Sequence, residues 1–257
     1  MNSKQVAGGL ALLVVILVAG YLWWQQRIEP EAMMPPVAVP ASPEPPAPPA
    51  IQHPIAVAPV EQPLPPLEAS DKALAQAFAA VVGDKAWRQL FLGDRIIRRI
   101  VATVDNLPRK EAPVKMWPVR PVGSWLETVT TGEMITLAPS NSRRYAKYVK
   151  LTQLINADVL AEIYKRFYPL FQQAYVELGY PQGYFNDRLI VAIDDLLAAP
   201  ELSEPPKLTS IKILYEYADP NLQRRSAGQK IMLRIGTDNA RIVKSKLREI
   251  RRAVLGP

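Results

Sequence analysis

The sequence predicts a mainly α-helical protein: a single-pass transmembrane helix, a disordered proline-rich linker, and one compact multi-helix domain with at most a small β element. Three observations lead to this class. Residues 6–24 are apolar throughout, residues 25–66 hold more than half of the 26 prolines, and further along the chain apolar side chains recur at helical spacing. The expected divisions are a short cytoplasmic tail at residues 1–5, the membrane helix, the linker, and a globular domain at residues 67–257.

The apolar segment at residues 6–24 reads VAGGLALLVVILVAGYLWW and contains no charged side chain. A helix of this length rises about 28 Å, close to the hydrocarbon thickness of a bilayer. Tyr21, Trp23 and Trp24 are aromatic residues of the kind found at a membrane interface. A cleaved signal peptide is the alternative, but its apolar stretch is usually shorter, and the weak cleavage site VAG at 18–20 lies inside the run. The segment therefore predicts a signal-anchor.

The charges that flank this segment predict its orientation. Lys4 and the α-amino group lie before it, whereas Arg27 is followed by Glu29 and Glu31. The positive-inside rule then favours a cytoplasmic N-terminus by a small margin. The expected location is a bacterial inner membrane, with the C-terminal domain in the periplasm. The reverse topology, with the domain in the cytoplasm, stays open.

The linker contains runs such as PEPPAPPA, which lack backbone donors and form no apolar face. Such sequences favour an extended, solvated polyproline-II conformation. Residues 30–66 could reach on the order of 110 Å at about 3.1 Å per residue. The sequence thus predicts a spacer that holds the domain away from the membrane.

Apolar periodicity and capping residues predict the elements of the domain. Ser70 and Gly83 are expected to begin and end the first helix, and Ser226 and Gln229 are expected to form a capping box. The predicted helices cover residues 71–82, 84–91, 93–106, 141–155, 157–179, 184–199, 226–236 and 237–255. Short strands are expected within residues 132–139 and 210–217, and the loop that carries Trp117 and Trp125 is expected to pack on the core.

Three aspartates, Asp187, Asp194 and Asp195, lie on the helix predicted at 184–199. Asp187 and Asp194 share a face but are about 10 Å apart along the axis, beyond the spacing of glycosidase carboxylate pairs. Asp194 and Asp195 are adjacent and point about 100° apart. The pattern therefore predicts a solvated face with a charged first turn rather than an active site.

The composition excludes several classes of enzyme. The chain has no cysteine, and its one histidine, His53, lies in the linker. This excludes Ser-His-Asp and Cys-His nucleophiles and the usual zinc sites in the domain. A P-loop and a dinucleotide fingerprint are also missing from the sequence. We therefore predict no catalytic, cofactor-binding or metal-binding residue and no cofactor; a carboxylate-dependent enzyme that cleaves cell-wall glycan is the alternative.

Positive charge is concentrated near the C-terminus. From Arg224 onward there are ten Lys or Arg and two acidic residues, so the net charge of this stretch alone exceeds the net +7 of the whole chain. A second cluster, RRYAKYVK, lies at residues 143–150. Both could be ordinary solvated helix faces. The functional hypothesis is a surface for an anionic partner, with the candidate residues Arg241, Lys244, Arg248, Arg251, Arg252, Arg143, Arg144 and Lys147.

The segments IIRRIVATVDNLPR, YPLFQQAYVELGYPQGYFNDRL and SAGQKIMLRIG occur in this order along the domain. Together they resemble the landmarks of an uncharacterised bacterial family, the domain of unknown function three-zero-one-four. The resemblance covers about residues 67–254 and extends to the apolar segment and proline-rich spacer. It implies no activity, catalytic residue or cofactor.

A tethered basic domain without nucleophile, metal ligands or phosphate loop is more typical of recognition than of turnover. We therefore expect it to bind or scaffold an envelope partner, either a protein or an anionic polymer, while residues 6–24 contact the inner membrane. Two helices around Gly236 could resemble a helix-turn-helix, but the expected compartment makes nucleic acid an unfavoured partner. The sequence does not indicate a small-molecule substrate.

Overall fold

The computed structural model describes residues 50–55, 63–123, 125–211 and 214–256, which belong to a single compact unit. Within these ranges, no helix is long and apolar enough to cross a bilayer. The transmembrane helix predicted at residues 6–24 and most of the predicted linker lie outside the described residues, and they stay predictions.

The described part of the chain is mainly helical, as the apolar periodicity predicts. The α-helices are α1 (Asp71–Val82), α2 (Asp84–Leu90), α3 (Ile96–Asn106), α4 (Ala146–Leu154), α5 (Ala157–Glu177), α6 (Phe185–Leu197), α7 (Pro220–Gln223), α8 (Ala227–Arg234) and α9 (Thr237–Leu255). Three short 3-10 helices cover Leu67–Ala69, Val114–Met116 and Pro139–Tyr145. The helical fold class is confirmed, and α7 is the α-helix that apolar spacing did not predict.

Helix α5 forms the centre of the domain. The Asn156 side chain begins it by accepting hydrogen bonds from the backbone N–H groups of Asp158 and Val159. Its buried residues lie on more than one face, and it packs against α1, α3 and α9. The ring of Phe171 on α5 stacks on that of Phe185 on α6, with centroids 5.8 Å apart. Aromatic stacking of this kind ties α6 to the central helix.

Four short strands form an antiparallel sheet beside the helices. They are β1 (Thr128–Thr131), β2 (Met134–Leu137), β3 (Lys207–Ile211) and β4 (Leu214–Tyr217), in the order β1-β2-β3-β4. Helices α4, α5 and α6 are inserted between β2 and β3. The inner face of the sheet contributes a small second core that is separate from the main one and consists of Leu137, Leu208, Tyr217 and Leu233.

The strand predicted at residues 210–217 is in fact part of a hairpin, so that prediction is wrong in its topology. The chain reverses between Ile211 and Leu214, which are paired with each other, and Leu208 is opposite Tyr217. The segment is rich in Ile and Tyr, which favour strands, and it has neither glycine nor proline to mark a turn. The register of the sheet, rather than a local turn signal, fixes where the strand ends.

Two of the predicted helix caps differ from expectation. The Ser70 side chain does not cap α1 but donates a hydrogen bond to the carbonyl of Leu67, 2.7 Å away. Ser226 caps α8 by accepting from the backbone N–H of Gln229 at 3.0 Å, as predicted. The Gln229 side chain does not complete the capping box, because it donates to Asp195 at 2.9 Å. Tertiary partners therefore compete successfully with local capping.

The loop between α3 and β1 is ordered, but its two tryptophans behave differently. Trp117 is half-buried, and its indole N–H donates to the carbonyl of Ala112 at 3.2 Å. Trp125 is 90 % exposed. The expectation that both indoles pack on the core is therefore wrong for Trp125.

Candidate functional site

The basic residues predicted on α9 divide between two sides of the helix. Arg241, Arg248 and Arg252 fall within about 40° of one another around the axis and are exposed. Lys244 and Arg251 lie on a different side, which faces α6 and the segment that follows it. The predicted surface is thus not one continuous set of solvated cations.

The structure corrects the placement of Lys244. Its side chain is buried, and its Nζ donates to the carbonyl of Ala199 at 2.6 Å and to Glu201 at 3.1 Å. Ala199 is buried just after the C-cap of α6, and a buried backbone carbonyl needs a donor, which the lysine of a neighbouring helix supplies. The ammonium group therefore stabilises the contact between α6 and α9, and it is not available to an external partner.

Arg251 and Arg241 also have acidic partners within the domain. Arg251 donates to both oxygens of Asp194, at 2.8 and 3.2 Å. Arg241 contacts Glu201 at 2.9 Å and Asp238 at 3.2 Å. Much of the positive charge that the sequence concentrates on α9 is neutralised by acids of neighbouring segments.

Four of the candidate cations remain exposed without an ion pair inside the described part of the chain. They are Arg248 and Arg252 on α9, Arg143 at the end of the 3-10 helix Pro139–Tyr145, and Lys147 on α4. Arg144 instead turns inward and donates to Asn141 at 2.7 Å.

The loop that carries the exposed Trp125 is anchored on the segment that begins the basic cluster of residues 143–150. On one side of Trp125, the carbonyl of Gly123 accepts from the Arg144 guanidinium at 3.1 and 3.3 Å. On the other side, the backbone N–H of Glu127 donates to Asn141 at 3.3 Å. Trp125 is therefore two residues, or at most about 7 Å of extended chain, from each of the two anchored loop residues, Gly123 and Glu127.

We call Trp125, Arg143 and Lys147 the Trp125 surface. Its loop is held by the same segment that supplies its charges, because Tyr148 also donates a hydrogen bond to the carbonyl of Arg120 at 2.5 Å. Sequence reasoning identified the cations but missed the indole. No local signal distinguishes an exposed tryptophan from a buried one.

A buried carboxylate, Asp105 at the end of α3, is the centre of an ion network. Its side chain accepts from Arg109 at 2.9 and 3.1 Å, from Arg188 at 3.0 Å and from the hydroxyl of Tyr180 at 3.2 Å. The Arg188 guanidinium also donates to the backbone carbonyl of Asp105. The signal for this site was present in the sequence: Asp105 continues the buried row of Ile97 and Val101 at four-residue spacing.

The start of α8 closes the same region. The backbone N–H groups of Ala227 and Gly228 donate to the carbonyls of Arg109 and Leu107, at 2.6 and 2.9 Å. A Cβ at position 228 would lie only 3.1 Å from that Leu107 oxygen and 2.8 Å from Leu196, so glycine permits the close approach. The three sequence segments singled out as landmarks thus meet at one place in the fold.

These features define a small, mainly helical domain in which the three segments meet around a buried ion network. The chain belongs to the family described as protein of unknown function DUF3014, whose model matches residues 96–251. This confirms the family resemblance inferred from the three segments. No curated protein and no solved structure matches the chain.

The three aspartates of α6 have three separate structural partners. Asp187 accepts from the backbone N–H groups of Gln52 and His53, Asp194 pairs with Arg251, and Asp195 accepts from Ser226 and Gln229. They do not form a pair, as the helix geometry predicted. The expectation of a merely solvated face is wrong, because each carboxylate binds a different part of the chain.

Arginine side chains stabilise the ionised form of four carboxyl groups. Hydrogen bonds from arginines lower the pKa of Glu68, Asp94, Glu177 and Glu201, whereas a glycosidase acid needs a raised carboxyl pKa. In the described ranges, no cluster of three or more His, Cys, Asp or Glu could hold a metal ion.

Replacing Asp105 tests the ion network. Asp105→Asn leaves the half-buried Arg188 without its anionic partner, so we expect the free energy of unfolding to fall by about 3 kcal/mol. Urea denaturation of the purified chain measures this change. Asp158→Asn, at an exposed position in the first turn of α5, is the control and should shift stability by no more than about 0.5 kcal/mol. Equal effects of the two substitutions would contradict the assignment.

A second test measures how acid affects the contact between α6 and α9. Hydrogen bonds from Arg241 and then Lys244 lower the pKa of Glu201 below its usual 4.5. A carboxyl group whose pKa is lower in the folded state than in the unfolded state stabilises the fold at pH values above its unfolded-state pKa. This stabilisation is lost as the pH falls through the folded-state pKa. Between about pH 5 and pH 3, the Tm of Glu201→Gln should therefore fall less than that of the parent. The control Glu162→Gln should show the same dependence of Tm on pH as the parent. If Glu201→Gln also showed the parental dependence, the role of Glu201 and its two cationic partners would be refuted.

Proposed function

We propose that this protein is a single-pass, membrane-anchored envelope protein whose helical domain binds an anionic partner of the envelope, either a protein or a polymer. The observation that carries the proposal is the Trp125 surface, in which an indole that is 90 % exposed belongs to a loop anchored on the segment that supplies Arg143 and Lys147. These two cations have no acidic partner among the residues that the structure describes. Family membership assigns no activity, so the proposal depends on the site.

An exposed indole next to cations is a favourable composition for recognition. Tryptophan and arginine are enriched among residues that dominate binding energy, because an indole offers a large rigid apolar area with a polar N–H. Arg143 and Lys147 would attract an anionic partner and orient it before the indole is covered. The exposed Arg248 and Arg252 of α9 supply a second cationic ridge.

The proposed location comes from the sequence. The uncharged run at residues 6–24 has the length and the flanking aromatic residues of a membrane span, and the flanking charges favour a periplasmic domain. A periplasmic domain would face the polymers and proteins of the envelope. The long proline-rich spacer would allow it to contact a partner at some distance from the bilayer.

Substitution of the Trp125 surface tests the proposed function. The full-length triple variant Trp125→Ala/Arg143→Gln/Lys147→Gln should be retained by an isolated cell-envelope fraction, including its peptidoglycan, about tenfold more weakly than the parent. This corresponds to about 1.4 kcal/mol of binding free energy. Retention of the parent should also weaken steeply as salt rises. Arg248→Gln/Arg252→Gln should give a smaller loss of the same kind.

The matched control removes two exposed cations elsewhere, with Lys72→Gln/Lys85→Gln on α1 and α2. This variant should bind like the parent, since only the global charge changes. An equal loss in the control would show that binding follows net charge rather than the Trp125 surface. Hydrolysis of cell-wall glycan by the parent would instead favour the carboxylate-dependent enzyme.

A topology experiment tests the proposed location. A reporter that is active only outside the cytoplasm, fused after residue 257, should be active in a Gram-negative host. A reporter that works only in the cytoplasm should be inactive at the same position. The opposite result would place the basic domain in the cytoplasm and redirect the search to anionic lipid or nucleic acid.

A further inference from the structure

Residues 50–55, which lie within the stretch that composition assigns to the solvated linker, contact the domain. They lie against the start of α6, more than a hundred residues away in sequence. Composition did not predict this contact, because proline-rich segments form no apolar face of their own. A built site on the domain must therefore hold the segment.

The site binds the segment mainly by its backbone. The two carboxylate oxygens of Asp187 accept from the N–H groups of Gln52 and His53, at 3.1 and 2.7 Å. The Asn186 side-chain amide donates to the carbonyl of His53 at 2.8 Å. The N–H of Ile55 donates to the hydroxyl of Tyr184 at 2.8 Å.

The residues of the site are held in place by the core. Asn186 is 1 % exposed, and its side-chain oxygen accepts from the hydroxyl of Tyr164 at 3.1 Å. The Gln172 side chain fixes the approach to α6, since it accepts from the backbone N–H of Phe185 and donates to the carbonyl of Gly183. The site is therefore organised by contacts that do not involve the segment.

Among the side chains of the segment, that of Ile55 contributes most to recognition. Ile51, Gln52 and Pro54 are exposed, whereas Ile55 packs against the main core. Pro54 lacks an N–H group and occupies the position between the donors His53 and Ile55. The site accordingly fits a peptide that bends at residues 52 and 53, carries proline next and has an aliphatic residue directly after it.

We propose that Tyr184, Asn186 and Asp187 form a peptide-binding site and that residues 51–55 of the same chain are its occupant. The bound segment acts as a strap that fixes where the linker leaves the domain. Opening the strap would release residues 51–55 and lengthen the free linker by on the order of 16 Å at about 3.1 Å per residue. The site thus controls how much of the linker is bound to the domain.

Amide hydrogen exchange of the full-length chain tests the strap. The N–H groups of Gln52, His53 and Ile55 should be protected in the parent, and Asp187→Ala should bring the first two close to the rate of unstructured chain. Asp158→Ala, which removes a carboxylate from the first turn of another helix, is the matched control and should leave this protection intact. Unprotected amides at residues 52–55 of the parent would overturn the proposal.

A second variant separates the strap from the stability of α6. His53→Pro removes the N–H group that makes the shorter of the two hydrogen bonds to Asp187, and it changes no residue of α6. The remaining strap amides should lose protection while those of α5 and α6 keep theirs. Strap protection that persists in both His53→Pro and Asp187→Ala would refute the role assigned to Asp187.

Addition of the segment as a separate molecule tests whether the site is a true binding site. A capped peptide with the sequence of residues 50–56, AIQHPIA, should bind the full-length His53→Pro variant, whose own strap is weakened. Binding to the parent should be weaker by about tenfold, because the linked segment competes at high effective concentration. The same peptide with proline in place of histidine is the control and should not bind. No binding of AIQHPIA to the strap-weakened variant would overturn the site.

Discussion

The buried carboxylate of Asp105 is the constraint on which the rest of the domain depends. A charge removed from water is tolerated only when paired and fully hydrogen-bonded, so Arg109, Arg188 and Tyr180 must all reach it. Arg109 follows the end of α3, Arg188 lies on α6, and Tyr180 lies in the turn between α5 and α6. The need to pair Asp105 fixes how α3 and α6 pack against each other. The neighbouring hydrogen bond of Gly228 to the turn after α3 places α8 against the same region.

This arrangement gives a physical account of the family landmarks. The three segments are far apart in sequence, yet each supplies part of one network. The Asp105 carboxylate is bonded to Arg109, Arg188 and Tyr180. Its role is to hold the scaffold, and the surface that we propose for recognition is formed elsewhere, around Trp125 and the 3-10 helix Pro139–Tyr145.

The pairing of charges within the fold determines which cations can act on a partner. Lys244 and Arg251 belong to the contact between α6 and α9, whereas Arg143, Lys147, Arg248 and Arg252 remain open to solvent. The same principle applies to the aspartates of α6. Asp194 binds α9, Asp195 binds α8, and Asp187 binds the strap. Helix α6 therefore connects the core, the basic C-terminal helix and the strap segment of the linker.

The sequence by itself determined the helical class, the positions of most helices and the family, because apolar spacing and helix ends are properties of local chain segments. It also determined that the aspartates of α6 cannot form a catalytic pair, since helix geometry alone separates them. Only the tertiary structure decided that Lys244 is buried, that Trp125 is exposed, that residues 210–217 contain a reversal, and that Asp187 binds residues 52 and 53. Each of these depends on a partner distant in sequence, and local periodicity contains no information about which distant groups the fold brings together.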